Sequence, residues 1–287
     1  MTGVFITLFL LVAAGLAYRL IPGVPAADVV RRSIGSVVLN IFLPALTFKV
    51  LATAPLGSDL WAVPLVSIIT VLASFAISWL VYARLLRSRL SAPTIGALIV
   101  ASTWCNATYL GLPVVSAVVG VDYQRIPMLF DLLGMSPMLF TLGTMICVEY
   151  GTRGERHTVG EGLLQAVKLP PLIAAVLGIV VNLMHITVPS VIMDACGVAG
   201  SVVAPTMLFS IGLALRPPKW DQLAVLAPSL IIKLGIAPAV GMIMIGLLIS
   251  DAHVARATLL EAAMPTMVLT MVFAERYGLD EEILAQA

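Results

Sequence analysis

Long apolar runs constrain the fold of this chain more than any other feature. A helix needs roughly 20 apolar residues to cross the hydrocarbon core of a bilayer, and most of these runs approach or exceed that length. We predict nine membrane-spanning helices, over residues 3–19, 33–53, 60–83, 93–119, 125–148, 169–186, 190–215, 222–249 and 254–275. The chain is therefore expected to be an all-α, polytopic membrane protein. The ninth span is the weakest, because it contains Arg256 and Glu261.

The scarcity of charged residues supports this interpretation. Only 11% of the 287 residues are charged and 60% are hydrophobic, whereas soluble domains carry about 25% charged residues. The spans leave no room for a soluble catalytic domain. The sequence has no HExxH motif and no Gly-x-Ser-x-Gly turn, so an enzyme is not expected. A net charge of +1 argues against a nucleic-acid partner, and the three cysteines lie in apolar stretches, which favours packing over a metal site.

Basic residues predict the orientation of the chain. If the N-terminus lies outside, the inside loops hold twelve basic residues and the outside loops hold only Arg125 and Arg256, as the positive-inside rule requires. The first helix is expected to be retained, because no basic residue precedes it and no cleavage site follows it. The longest polar connection, residues 149–168, is predicted to be a solvated loop. Lys49 and Lys233 remain within spans.

The two halves of the chain resemble each other at an offset of about 160 residues. The matched pairs are Pro44 with Pro205, Asp59 with Asp221, and Gly120 with Gly278. We predict a first five-helix repeat over residues 1–150, a cytoplasmic connecting loop over 151–168, and a second repeat over 169–287. Five is an odd number, so the second repeat must be inverted, as in secondary transporters. Its last helix, the tenth of the fold, would start near residue 283 and is expected to be absent from this chain.

Interrupted helices mark the predicted binding site. The fourth span contains Asn106 and Pro113, and the ninth contains Met264-Pro265-Thr266 at the matching place. Paired interruptions indicate a transporter site, because unpaired backbone groups in the membrane need protein, water or substrate as partners. Simple proline kinks are the alternative. Pro44, Pro113 and Pro205 are predicted to act as structural hinges.

Several polar residues within the spans are further candidates. Lys233 would attract an anionic substrate or form a structural ion pair. Asp131 and Glu261 are candidates for proton coupling, or would face an outside vestibule. Asn40 would form a wall of the site or an interhelical hydrogen bond.

Four motifs together resemble those of the auxin efflux carrier family, which includes the plant PIN-FORMED carriers and bacterial malonate and malate permeases. They are Asn40-Ile-Phe-Leu-Pro-Ala-Leu-Thr-Phe48, Asn106-Ala-Thr-Tyr-Leu-Gly-Leu-Pro-Val114, Ser210-Ile-Gly-Leu-Ala-Leu215, and Glu261-Ala-Ala-Met-Pro-Thr266 continuing through Gly278. The resemblance implies two inverted five-helix repeats, similar to the bile acid sodium symporter fold. Helices four and nine would cross at their breaks, between a scaffold domain and a transport domain, with Asn106 and Pro265 at the crossing.

The function that these features predict is secondary active transport of small organic anions, such as mono- or dicarboxylates or auxin-like acids, by alternating access in a bacterial inner membrane. The predicted substrate-binding residues are Asn106, Ala107, Thr108, Met264, Pro265, Thr266, Asn40 and Lys233. No cofactor or metal is expected, sodium or proton coupling stays open, and a homodimer is an allowed assembly. The alternatives are a coupled symporter of bile-acid-like or other solutes, and a non-transporting channel or sensor.

Overall fold

The computed structural model describes residues 2–153, 159–215 and 222–286, and this part of the chain is helical, with no β-strand. The helices are α1 (Thr2–Tyr18), α2 (Ala27–Thr53), α3 (Asp59–Leu85), α4 (Ala92–Thr103), α5 (Ala107–Val118), α6 (Val121–Tyr150), α7 (Val159–Val167), α8 (Pro170–Leu183), α9 (Ser190–Ala214), α10 (Leu223–Leu248), α11 (Ala252–Ala262), α12 (Thr270–Tyr277) and α13 (Glu281–Leu284). The all-α prediction is confirmed for the described residues.

Five helices, α2, α3, α6, α9 and α10, are long and apolar enough to cross a membrane. A sixth span results if α7 and α8, which are bent by 65° relative to each other, are counted together. The predicted fourth and ninth spans are each divided into two short helices, α4 with α5 and α11 with α12. The second span begins at Ala27 rather than at residue 33.

The prediction of a solvated loop over residues 149–168 is wrong in its second half. Residues Val159–Val167 form α7, which packs on the middle of α6. Ala166 is buried, and a Cβ atom on Gly162 would lie only 1.9 Å from the carbonyl oxygen of Phe140. Small residues on one face of this segment therefore allow close helix packing, a property that its overall polarity conceals.

Proline explains a recurring irregularity of the long helices. A widened, π-helical turn ends two residues before each of Pro44, Pro113, Pro137 and Pro238. Proline has no N–H group and its ring crowds the carbonyl four residues earlier, so the preceding turn opens. Pro205 follows a different irregularity, a turn at Val202 within α9. A hinge role for these prolines stays a prediction.

The helices pack in two groups. In the first group, α8 packs on α2, α1 packs on α9, and α9 packs on α2. In the second group, α3 contacts α4, α6 and α10, and α10 contacts α11. The short helix α5 contacts both groups. Each group contains helices from both halves of the chain, so the halves interleave.

Two glycines set the closest contact of the first group. A Cβ atom on Gly15 would lie 2.1 Å from the carbonyl oxygen of Phe209, and one on Gly212 would lie 2.0 Å from that of Val12. Helices α1 and α9 therefore touch through their backbones, as small residues allow in membrane helices.

Loops that the charge pattern assigns to one side of the membrane contact one another. At one end, Arg32 lies 3.5 Å from Glu275, and the Arg153 amide donates to the Tyr277 carbonyl at 3.0 Å. At the other end, Asp59 pairs with Arg125 at 2.6 Å. This grouping agrees with the alternation of inside and outside loops, while which end faces the cytoplasm stays a prediction.

Candidate functional site

The two interrupted helices meet at their breaks. Residues 104–106, between α4 and α5, lie antiparallel to residues 265–267, between α11 and α12. The Asn106 amide donates to the Pro265 carbonyl at 2.7 Å, and the Met267 amide donates to the Trp104 carbonyl at 3.0 Å. Each break thus supplies hydrogen-bond partners that a broken helix would otherwise lack inside a membrane.

Side chains reinforce this junction. The Thr266 hydroxyl donates to the Ala101 carbonyl at 3.0 Å. The Asn106 oxygen Oδ1 accepts from the Tyr109 amide at 3.2 Å, which makes Asn106 the N-cap of α5. The side-chain nitrogen of Asn106, Nδ2, makes no hydrogen bond to a described residue. It is left as a donor beside the junction.

Lys233 approaches the junction from α10. It is 3% exposed, and its ammonium group donates to the Thr103 carbonyl at 3.0 Å. Thr103 ends α4, and a helix C-terminus carries partial negative charge that favours a cation. Within the described residues Lys233 forms no ion pair with a carboxylate. The alternative of a structural ion pair is therefore not seen there.

Two buried carboxyl groups flank α5 in different environments. Asp131, on α6, is 2% exposed and accepts hydrogen bonds from the hydroxyls of Thr108 and Ser136. Glu261, on α11, is 0% exposed, and neither carboxyl oxygen has a hydrogen-bond partner within the described part of the chain. It packs against Gly111, where a Cβ atom would lie 2.2 Å from Oε2. Hydrogen bonds from two hydroxyls thus partly offset the burial of the Asp131 carboxyl group, and no such bonds offset that of Glu261 in the described part of the chain.

Two cavities adjoin the junction, and Asn106 lines both. The smaller, about 450 Å³, is also lined by Thr108, Asp131 and Ser136. The larger, about 1100 Å³, has Pro265 and Thr266 on one wall. Its opposite wall comes from the first helix group, with Asp28 and Arg31 of α2 and Ile211, Ala214 and Leu215 of α9. The junction therefore borders a space between the two groups of helices.

The predicted site residues separate into three sets. Those that line a cavity are Asn106, Thr108, Pro265 and Thr266. Those buried at the junction that line neither cavity are Ala107, Met264 and Lys233. Asn40 stands apart, since it is exposed and its amide donates to the Ser36 carbonyl within α2 at 2.8 Å.

Sequence reasoning missed two residues near the junction. Arg31 was assigned to a loop, but it lies in the first turns of α2 and lines the larger cavity. The Cys105 thiol donates to the backbone carbonyl of Glu261 at 3.1 Å. A predicted second span that began at Ala27 would have placed Arg31 within the helix. Nothing in the sequence pairs Cys105 with residues about 150 positions away.

The sequence is similar to those of known membrane transporters. A family model described as "Membrane transport protein" matches residues 4–287. An uncharacterized transporter from Methanothermobacter thermautotrophicus is 29% identical over 269 residues, covering 88% of this chain and 82% of the relative. Another uncharacterized transporter, from Methanocaldococcus jannaschii, is 26% identical over 202 residues, covering 67% of this chain and 62% of the relative. Neither name states a substrate.

Proposed function

This chain belongs to the membrane transport protein family, the auxin efflux carrier family that its motifs resemble, and we propose that it is a secondary active carrier of small organic anions. The observation that supports this most is the junction of two interrupted helices beside a cavity walled by both helix groups. Movement of one group against the other would expose such a site to alternate sides. We propose no enzymatic activity for it.

The packing supports two inverted repeats over residues 1–150 and 169–287. If the two repeats are equivalent, α1 corresponds to α8, α2 to α9, α3 to α10, and α4 to α11. The contact of α1 with α9 then becomes that of α8 with α2, and the contact of α3 with α4 becomes that of α10 with α11. The contact of α3 with α10 is unchanged, and all these contacts occur. On this basis we propose that the two interrupted helices cross at their breaks.

Donors at the junction suit a carboxylate substrate. The free Nδ2 of Asn106 is a donor available on the cavity walls, whereas the hydroxyls of Thr108 and Thr266 already donate to Asp131 and to the Ala101 carbonyl. Ala107 and Met264 pack behind them, and Lys233 adds a positive charge at the end of α4. We propose that the substrate carboxylate binds at Asn106, and that the positive charge of Lys233, at the end of α4, offsets the negative charge of the carboxylate. Asn40 would contribute only in a conformation that brings it to the cavity.

Glu261 is the better of the two candidates for proton coupling. A buried carboxylate without a hydrogen-bond donor is costly, whereas the neutral acid is tolerated. The charged groups that interact with this region are Asp131 from α6 and Lys233 from α10. Asp131 disfavours a second negative charge, and Lys233 forms no ion pair with Glu261 within the described residues. We propose that Glu261 is protonated in this conformation and releases its proton when the site opens to water.

We further propose that the protein spans a bacterial inner membrane with its N-terminus outside, as the basic loops predict. Sodium coupling, a homodimer and independence of any cofactor are proposed in the same way. A tag placed at the N-terminus should react with an impermeant reagent added to intact cells. Protection of that tag would reverse the orientation.

Proteoliposomes provide the test of function. Labelled malonate, malate and indole-3-acetate are supplied under proton gradients, sodium gradients or neither. A carrier shows accelerated exchange in counterflow and a channel does not. Asn106→Ala should abolish transport of the accepted anion, while Ser201→Ala, on the exposed surface of α9, should leave it unchanged. Unchanged transport by Asn106→Ala refutes the proposed site. Dependence on sodium alone refutes proton coupling.

A further inference from the structure

Arg31 differs sharply from its neighbour in sequence. Its side chain is 17% exposed and faces the 1100 Å³ cavity that Asn106 and Pro265 also line. The Arg32 side chain is 65% exposed and pairs with Glu275 at the surface. Adjacent arginines thus point to different environments, and only Arg31 borders the cavity beside the junction.

Among the described residues Arg31 has an ion-pair partner but no hydrogen-bond partner. Its nearest carboxylate is Asp28, whose Oδ1 lies 3.6 Å from Nε, beyond hydrogen-bond distance. Nε is shut off from solvent, and the guanidinium makes no hydrogen bond to a described residue. A guanidinium has five N–H donors, and buried donors are normally satisfied. This group therefore has capacity for a ligand.

The surroundings of Arg31 indicate which ligand fits. The cavity that Arg31 lines has both apolar residues, among them Leu110, Ile211 and Met271, and polar ones, among them Asn106. Arginine binds carboxylates through two parallel hydrogen bonds. A cavity with many apolar lining residues and a guanidinium that makes no hydrogen bond suits an organic carboxylate with an apolar body.

We infer that Arg31 pairs with the substrate carboxylate on the face of the site that opens to the larger cavity, before that carboxylate reaches Asn106. This inference rests on the proposed function. It assigns the two cations different roles. Lys233 is engaged with the end of α4, whereas Arg31 is available to an incoming anion. Arg31 would then set affinity for the anion on that face.

Binding to the full-length purified protein tests this role. Indole-3-acetate, malonate and the neutral indole-3-acetamide serve as probes in titrations followed by thermal shift. Arg31→Gln should weaken binding of the accepted carboxylate by about ten- to a hundredfold, the value of a charge-assisted hydrogen bond. It should leave binding of the neutral amide unchanged. Arg31→Lys should recover part of the loss, because it keeps the charge but not the two parallel bonds.

Two further variants separate binding from structure. Arg32→Gln, the matched control, should bind the carboxylate like the wild type. Asp28→Asn should bind it at least as tightly, because it removes the carboxylate that pairs with Arg31 in the described part of the chain. If Arg31 merely pairs with Asp28, then Asp28→Asn and Arg31→Gln will weaken binding alike, and the inference is wrong. Wild-type affinity in Arg31→Gln overturns it too, while leaving the carrier proposal intact. Failure of the wild type to bind any of the carboxylates contradicts both.

Discussion

Neutralising Glu261 and neutralising Asp131 should have unequal effects on stability. Both carboxyl groups are buried beside α5, Asp131 next to Thr108 and Glu261 next to Gly111. Glu261→Gln and Asp131→Asn make the same chemical change, an oxygen replaced by an amide NH₂, so each is a control for the other. What differs is the set of hydrogen bonds around each group.

The expected magnitude follows from those bonds. Asp131 accepts from the hydroxyls of Thr108 and Ser136, one on each oxygen. An asparagine keeps one acceptor and turns the other into a donor, so one bond to a charged group is lost, at about 1.5–3 kcal/mol. Glu261 has no such bond in the described part of the chain. If it is already neutral, Glu261→Gln loses no bond to a charged group, so it should lower the free energy of unfolding by less than Asp131→Asn does.

Reversible unfolding in mixed micelles, followed by tryptophan fluorescence, gives these free energies. Glu275→Gln, at an exposed side chain, sets the baseline for losing a surface carboxylate. The double variant Asp131→Asn with Glu261→Gln completes a double-mutant cycle, which measures the interaction between the two groups. If only Asp131 is charged, the two effects should add to within about 0.5 kcal/mol. Two buried charges would repel each other, so neutralising one would relieve the other and additivity would fail.

An equal or larger loss for Glu261→Gln would show that Glu261 is ionised in this conformation. The proposal that it carries a proton would then be wrong. A second variant checks the same environment. Gly111→Ala places a Cβ atom about where the Glu261 carboxyl group lies. It should destabilise the protein by roughly 1–3 kcal/mol, as overpacking does, and Gly111→Ala with Glu261→Ala should recover most of that loss.

Three further perturbations test the fold. Asp59→Asn should cost about 3–5 kcal/mol of unfolding free energy, because it strands the buried Arg125 guanidinium; a loss below about 1 kcal/mol contradicts this. Gly212→Ala should cost about 1–3 kcal/mol through its clash with α1, while Gly235→Ala, with no atom near the added methyl, should cost nothing measurable. Asp251 caps α11, and the bond from the Val254 amide lowers the pKa of its carboxyl group. The Asp251 carboxylate should therefore stabilise the folded protein fully above about pH 3.9, and this stabilisation should shrink as the pH falls through the folded-state pKa. Thermal unfolding of the wild type and of Asp251→Ala at several pH values would measure it.

Much of the architecture was predictable because it follows from local composition. Long apolar runs predicted the spans, and Asn106 and Pro265 marked the two breaks that the structure joins. Arg31 was assigned to a loop because the first turns of α2 are polar, and a hydropathy criterion places the start of a span only where the apolar residues begin. The helix α7 was missed because the charged residues before it made the whole connection look like a loop, although α7 itself contains one charged residue, Glu161.

The sequence by itself determined that the chain is a helical membrane protein, where two of its helices break, and which family it belongs to. These properties depend on runs of neighbouring residues or on motifs that can be recognised locally. Only the tertiary structure decided that Asp131 has two hydroxyl donors and Glu261 none, and that Arg31 borders the cavity while Arg32 does not. The physical reason is that the protonation and availability of a buried charge depend on atoms brought to it from distant segments. The two arginines have the same chemistry in the sequence, and only the packing of α2 against α9 and the junction distinguishes them.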